Sequence, residues 1–180
     1  GYDILYVEGY LIFNFPLIEH ACRIAKENKM TVALDLSSFN VVADMLPQFR
    51  EIVEKYVDIL FANEDEAYSF TGLTPRDALD EIASKCTIAV VKTGADGSWI
   101  RRGEEIIKVE ALKVSPVDTT GAGDLYAAGF LYGYSHGFGL DKCGLFGSIL
   151  AGKVIEVIGA RMPEEKWAEA KNLISLVAVD

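Results

Sequence analysis

A mostly parallel α/β fold is predicted by three features of this 180-residue chain. Short apolar runs recur at Ile4 to Val7, Val32 to Leu34, Ile59 to Phe61 and Ile88 to Val91. Each run is continuous rather than alternating, which marks strands covered on both faces, as in a parallel sheet. Helical apolar patterns fill the connections, so the order reads β-α-β-α-β, the crossover arrangement that parallel neighbours require.

In the first connection Ile18, Ala21, Cys22 and Ala25 share one helical face, and in the second Val42, Leu46, Phe49, Ile52, Val53 and Tyr56 repeat the pattern. Asp3, Asp35 and Asp58 flank the strands; Asp35 falls after a strand, on the edge where β-α-β units bind ligands. After Phe61, Asn63-Glu64-Asp65-Glu66 reads as a helix N-cap followed by acids that suit the helix dipole. Thr74-Pro75 opens a further helix through about Lys85. Gly97 to Arg101 and Glu104 to Ala111, joined at Arg102-Gly103, read as a two-stranded ribbon that breaks the parallel pattern. The last third predicts three helices: Gly121 to about Gly133, Leu140 to about Ile158 and Pro163 to about Val177. In the middle one Cys143, Phe146, Gly147, Leu150, Val154 and Val157 form one stripe. Nothing resembling a linker or repeat divides the sequence, so 1–180 reads as a single domain.

Composition narrows the function. The chain carries 17 Lys+Arg against 27 Asp+Glu, a net charge of −10, and its longest basic run is Arg101-Arg102. Nucleic acid is thereby a poor partner, because phosphate tracking needs clustered cations. No apolar stretch approaches the ~20 residues of a bilayer span, and Gly1-Tyr2-Asp3-Ile4 lacks the basic start of a secretory signal, so no membrane partner is expected. Cys22, Cys86 and Cys143 are odd in number and widely spaced, which predicts buried thiols in a reducing, cytoplasmic compartment and excludes a zinc framework. The sequence opens directly in a strand-like run without an initiator methionine, as a piece of a longer protein would.

The most informative segment is Asp118-Thr119-Thr120-Gly121-Ala122-Gly123-Asp124, which runs straight into the apolar helix Leu125 to Phe130. Small residues at a helix start leave amides uncovered, and these with the dipole make an anion site suited to phosphate. Asp124 can accept the proton of a hydroxyl held beside a phosphate in transfer. The competing reading gives Asp124 only a dipole role and the glycines only packing roles. Lys92 to Gly97 follows a strand, and Gly94 and Gly97 permit close backbone approach to a nucleotide, although an ordinary turn uses the same glycines. Gly147 to Lys153 approaches a Walker A loop, but Val154 replaces the metal-holding hydroxyl and the stretch reads as helix. Gly121-Ala122-Gly123 begins a dinucleotide fingerprint whose third glycine is Tyr126, which disfavours NAD. His20, His136, Trp99 and Trp167 read as structural.

Asp118 to Asp124 closely resembles the C-terminal motif of the ribokinase-like (PfkB-type) carbohydrate and nucleoside kinase family. Asn63-Glu64-Asp65-Glu66 resembles that family's Asn-x-x-Glu element, and Lys92-Thr93-Gly94-Ala95-Asp96-Gly97 its nucleotide loop, in matching order over nearly the whole chain. The resemblance implies a three-layer α/β/α, Rossmann-like core using ATP and Mg²⁺. It implies that Gly121, Ala122 and Gly123 form the anion hole for the γ-phosphate and that Asp124 is the general base. Glu66 would orient water on Mg²⁺ and Asn63 would meet the phosphates, with an ordinary first-turn acid as the alternative for Glu66. Lys92, Thr93, Gly94 and Gly97 would bind the nucleotide. Positions matching Asp118 and Thr120, with carbonyls near Val154 and Gly159, bind an activating monovalent cation such as K⁺ in some members; Arg161-Met162-Pro163 departs from the small hydroxyl residue those members carry.

Family members are longer, so the resemblance also implies that the N-terminal strands, much of the acceptor pocket and the lid lie outside this chain. That would leave a sheet edge open to association, such as homodimerisation. The implied activity is ATP-dependent phosphorylation of a hydroxymethyl group on a small nucleoside or sugar. Tyr6 to Tyr10, Phe61 to Glu64 and Asp124 to Gly133 look most like the adenosine-kinase-type or sugar-kinase branch, with adenosine ahead of ribose or fructose-like sugars. A nucleotide-binding module without turnover is the remaining alternative.

Overall fold

A computed structural model describes residues 1–179. Six strands form one sheet in sequence order: β1 (Ile4–Glu8), β2 (Thr31–Asp35), β3 (Ile59–Asn63), β4 (Ile88–Lys92), β5 (Ser98–Arg102) and β6 (Glu105–Val109). β1 to β4 pair in parallel, with Glu8 opposite Asp35, Asp35 opposite Phe61 and Asn63 opposite Lys92. The register therefore brings the polar last residues of four apolar strands to one edge. β5 and β6 are joined by two residues, a connection that only antiparallel neighbours allow.

The chain forms two compact units. The first is Gly1–Thr93 with Trp99–Ile106, and the second is Gly94–Ser98 with the chain from Ile107 on. In the first unit the strands alternate with α1 (Phe15–Glu27), α2 (Phe39–Asp44), α3 (Leu46–Tyr56), α4 (Glu64–Thr71) and α5 (Pro75–Ala83). Its core packs Val32, Leu34, Leu60 and Val91 from the strands against Ile18 and Cys22 of α1, Phe49 and Ile52 of α3 and Leu79 of α5. Two details differ from the sequence reading. Residues Gly9–Asn14 form a 3₁₀ helix before α1, and the β2–β3 connection is two helices broken at Met45, with Pro47 in the first turn of α3. Proline has no N–H to donate, so it starts a helix readily and interrupts one that arrives from upstream.

The second unit holds α6 (Ala122–Ser135), α7 (Leu140–Val154) and α8 (Glu164–Val179). Ile149, Leu150, Val154, Met162 and Ala170 form a core with Leu125, Trp167 and Ile174 against it. α7 stops at Val154, short of the expected Ile158, so Val157 leaves the predicted stripe. The segment beyond turns because its backbone bonds elsewhere: the Ile155 carbonyl accepts from the Val117 and Asp118 amides, at 2.7 and 3.2 Å. The Walker-like stretch is interior helix, and Ser148 within it is buried, donating to the Glu110 carbonyl at 2.9 Å. Among the described residues no helix is long and apolar enough to cross a membrane.

Candidate active site

The first unit assembles charged residues on the C-terminal edge of its strands. Asn63 ends β3 and caps α4: the Glu66 amide donates to Asn63 Oδ1 at 2.9 Å, and the Asn63 amide donates back to Glu66 Oε2 at 2.7 Å. Asn63 Nδ2 also donates to Glu66 Oε1 at 2.8 Å. This reciprocal box satisfies two amides that a helix start otherwise leaves open. It also orients the Glu66 carboxylate, which is only 4% exposed. Burial raises the Glu66 pKa above its ordinary value; the nearby Lys92 ammonium opposes that shift and the Asp35 carboxylate adds to it.

Lys92, at the end of β4, is expected from the sequence to hold nucleotide. Its ammonium lies 2.7 Å from Asp35 Oδ2, at the end of β2. Asp35 Oδ1 accepts the Ser37 amide at 2.9 Å, and Ser37 adopts φ +64°, rare for a residue with a side chain. Ser37 Oγ donates to Glu8 Oε2 at 2.8 Å and accepts the Gly9 amide at 2.7 Å. Sequence reasoning placed Asp35 on this edge but missed its partner. The available signal was that two apolar strands each end on a charged residue of opposite sign.

The second unit contains the helix start that the sequence singles out. Gly121 is the N-cap of α6 at φ +80°. That conformation and a close neighbour both demand glycine, because a Cβ there would stand 2.7 Å from the Ala160 Cβ. Among the described residues no side chain caps this helix. The Ala122 amide turns back to the Thr119 carbonyl at 3.2 Å, and the first helical bond runs from Leu125 to Gly121. By the geometry of a helix start, the amides of Gly123 and Asp124 have no carbonyl within the helix. Asp124 is the third residue of α6, is exposed, and forms no hydrogen bond or ion pair among the described residues.

Immediately upstream, Asp118 Oδ1 accepts from the Thr120 amide at 2.9 Å and its hydroxyl at 2.7 Å, while Oδ2 accepts the Gly159 amide at 2.8 Å. These donors, the Thr120 amide foremost, lower the Asp118 pKa. Asp118 thus ties the approach to α6 to the turn after α7, the segment the cation expectation groups with it, through the Gly159 amide. In the loop that begins this unit, the two glycines serve different ends. A Cβ at Gly97 would overlap the Val109 carbonyl oxygen, so that glycine answers to the neighbouring backbone. Gly94, at φ +54°, faces open space and stays accessible.

The donor chemistry suits Mg²⁺, which keeps most of its waters and takes one or two carboxylates plus substrate phosphate. Glu66 offers one oriented carboxylate, and no cluster of three or more potential ligands exists among the described residues. The Cys22 and Cys86 thiols are raised by burial to about 11 and about 12, which keeps both protonated at neutral pH and unsuited to nucleophilic work.

The parallel α/β core carries Asn-x-x-Glu on its strand edge, and its last third opens on Gly-Ala-Gly-Asp. The family model for pfkB family carbohydrate kinases matches residues 2–167, and the chain belongs to that family. It is 47% identical over 112 residues to an uncharacterized sugar kinase of Archaeoglobus fulgidus, covering 62% of this chain and 45% of that protein. It is 34% identical over 139 residues to a nucleoside kinase of Methanocaldococcus jannaschii, covering 74% and 45%. The crystal structure of adenosine kinase from Sinorhizobium meliloti superposes with a TM-score of 0.89 at 38% identity, covering 94% of this chain and 54% of that one. The chain thus spans about half the length of the relatives it matches. These likenesses bear out the ribokinase-like core expected from the sequence.

Proposed function

We propose that this chain is the ATP-binding and catalytic part of a kinase that phosphorylates a hydroxymethyl group on a nucleoside or sugar, with Asp124 as the general base. The observation that carries this reading is the uncapped start of α6 with an exposed, unpaired carboxylate on its third residue. Asp124 takes the proton of the acceptor hydroxyl, the oxygen attacks the γ-phosphorus, the bond to the bridging β–γ oxygen breaks, and ADP leaves. The amides of Gly123 and Asp124, with Gly121 and Ala122 shaping the turn, donate to the phosphoryl oxygens as their charge develops. Mg²⁺, when bound, neutralises charge on the phosphates. Glu66 would hold a metal-bound water, Asn63 would face the phosphates, and the loop after Lys92, through Thr93, Gly94 and Gly97, would line the nucleotide while the Lys92 side chain stays on Asp35.

Adenosine leads as acceptor, supported by the likeness to an adenosine kinase at 38% identity, and sugars follow from the likeness to a sugar kinase. K⁺ at Asp118 and Thr120 is the outermost element, since both Asp118 oxygens already accept amides. The protonated Cys22 and Cys86 thiols support a reducing, cytoplasmic setting, and the edge position of β1 supports self-association.

The test is ADP release by the intact protein over a panel of nucleosides and sugars, with Asp124→Asn alongside. The variant is expected to bind ATP but to lose turnover by roughly 10²–10⁴-fold. No ADP release with any acceptor would favour the nucleotide-binding module instead.

A further inference from the structure

Within the first unit, two carboxylates and one ammonium share a buried edge. Asp35 and Glu66 are each 4% exposed, and the Lys92 side chain is 14% exposed. Lys92 acts electrostatically on Glu66, yet its ammonium is bonded to Asp35 at 2.7 Å. Asp35 is itself fixed through the Ser37 amide, on a residue whose left-handed backbone is held by Glu8 and Gly9. Among the described residues the Glu66 carboxylate accepts hydrogen bonds from Asn63 alone, so its negative charge has no bonded cation there. A buried carboxylate left in that state favours an incoming cation strongly, because the low dielectric magnifies every uncompensated charge.

We infer that the Asp35–Lys92 ion pair is a positioning device that keeps the Lys92 ammonium off Glu66 and so reserves the Glu66 carboxylate for hydrated Mg²⁺. This rests on the phosphotransfer reading above and deepens it: Lys92 works through Asp35 and Glu66, not as a phosphate ligand. The charge arithmetic gives opposite signs for the two partners. Without the Asp35 charge, the ammonium is released toward Glu66 and cancels its charge. Without Lys92, Asp35 and Glu66 are both left negative, and the edge gains attraction for a divalent cation. A pair that served stability alone would instead shift both variants the same way or leave the metal dependence unmoved.

The experiment is calorimetric titration of the intact protein with ATP at graded Mg²⁺ concentrations, for wild type, Asp35→Asn, Lys92→Met and the double variant. Asp35→Asn is expected to raise the Mg²⁺ needed for half-maximal ATP binding by roughly tenfold, the scale of one partly screened charge. Lys92→Met is expected to lower it, and the double variant to return near wild type, since Glu66 is then again a lone carboxylate. Should Asp35→Asn fail to fold, the double variant, which removes both members of the buried pair, is compared with Lys92→Met: a lower Mg²⁺ requirement in Lys92→Met supports the charge arithmetic, and equal requirements overturn it. Shifts of equal sign, no shifts, or weakened ATP binding by Lys92→Met at saturating Mg²⁺ would overturn the inference while leaving the phosphotransfer reading intact. A wild-type protein that binds no ATP at any Mg²⁺ concentration would overturn both.

Discussion

Two helix starts in this molecule solve the same problem in opposite ways. At α4, Asn63 and Glu66 close the end with their own side chains, and three hydrogen bonds of 2.7–2.9 Å hold the carboxylate still. At α6, Gly121 caps the helix with no side chain at all, and an exposed Asp124 stands beside amides that the helix leaves open. A closed end contributes stability and fixes a group in place; an open end forgoes that stabilisation and stays receptive to an anion. The contrast explains why residues of similar type, Glu66 and Asp124, each third in its helix, are assigned different work.

The comparison predicts its own points of failure. The largest effect belongs to Asp124→Asn, which should abolish nearly all turnover while the ATP affinity measured by calorimetry stays at the wild-type value. Parallel loss of binding would show that the carboxylate shapes the site and does not act as the base. Gly121→Ala comes next. It forces a side chain into the left-handed region, at about 1–2 kcal/mol, and presses a Cβ against Ala160. Lower thermal stability together with weakened ATP binding is expected; an unchanged ATP affinity would detach the open helix start from the nucleotide.

At the closed end, Asn63→Ala should cost about 1 kcal/mol by denaturant unfolding, the usual worth of a cap. A null result there would erase the distinction between the two helix starts. The smallest effect concerns Asp118, whose lowered pKa makes its ionised form the one that stabilises the fold. Its contribution is present above the unfolded value near ~3.9 and is lost as pH falls through the lower folded value. Asp118→Asn should therefore melt below wild type at pH 7, and the gap should close in acid.

Much of this was legible in the chain itself. Continuous apolar runs gave β1 to β4 because buried strands need no polar alternation, and Asn63 announced the start of α4 through the acids behind it. The open start of α6 was equally visible, since only small residues precede Asp124. Three features were not. The break at Met45 was masked by an apolar period that runs through both α2 and α3. The end of α7 at Val154 depends on the amides of Val117 and Asp118, distant in sequence, which donate to the Ile155 carbonyl. The Asp35–Lys92 pair joins two strands that flank β3, and no local pattern encodes which ammonium meets which carboxylate.

The most direct measurement is a crystal structure of the intact protein with a non-hydrolysable ATP analogue, Mg²⁺ and an accepted nucleoside or sugar. The account predicts the terminal phosphoryl group on the Gly123 and Asp124 amides, with the acceptor hydroxyl within about 3 Å of the Asp124 carboxylate. A phosphoryl group lodged elsewhere, or an Asp124 carboxylate turned away from the acceptor, would contradict it.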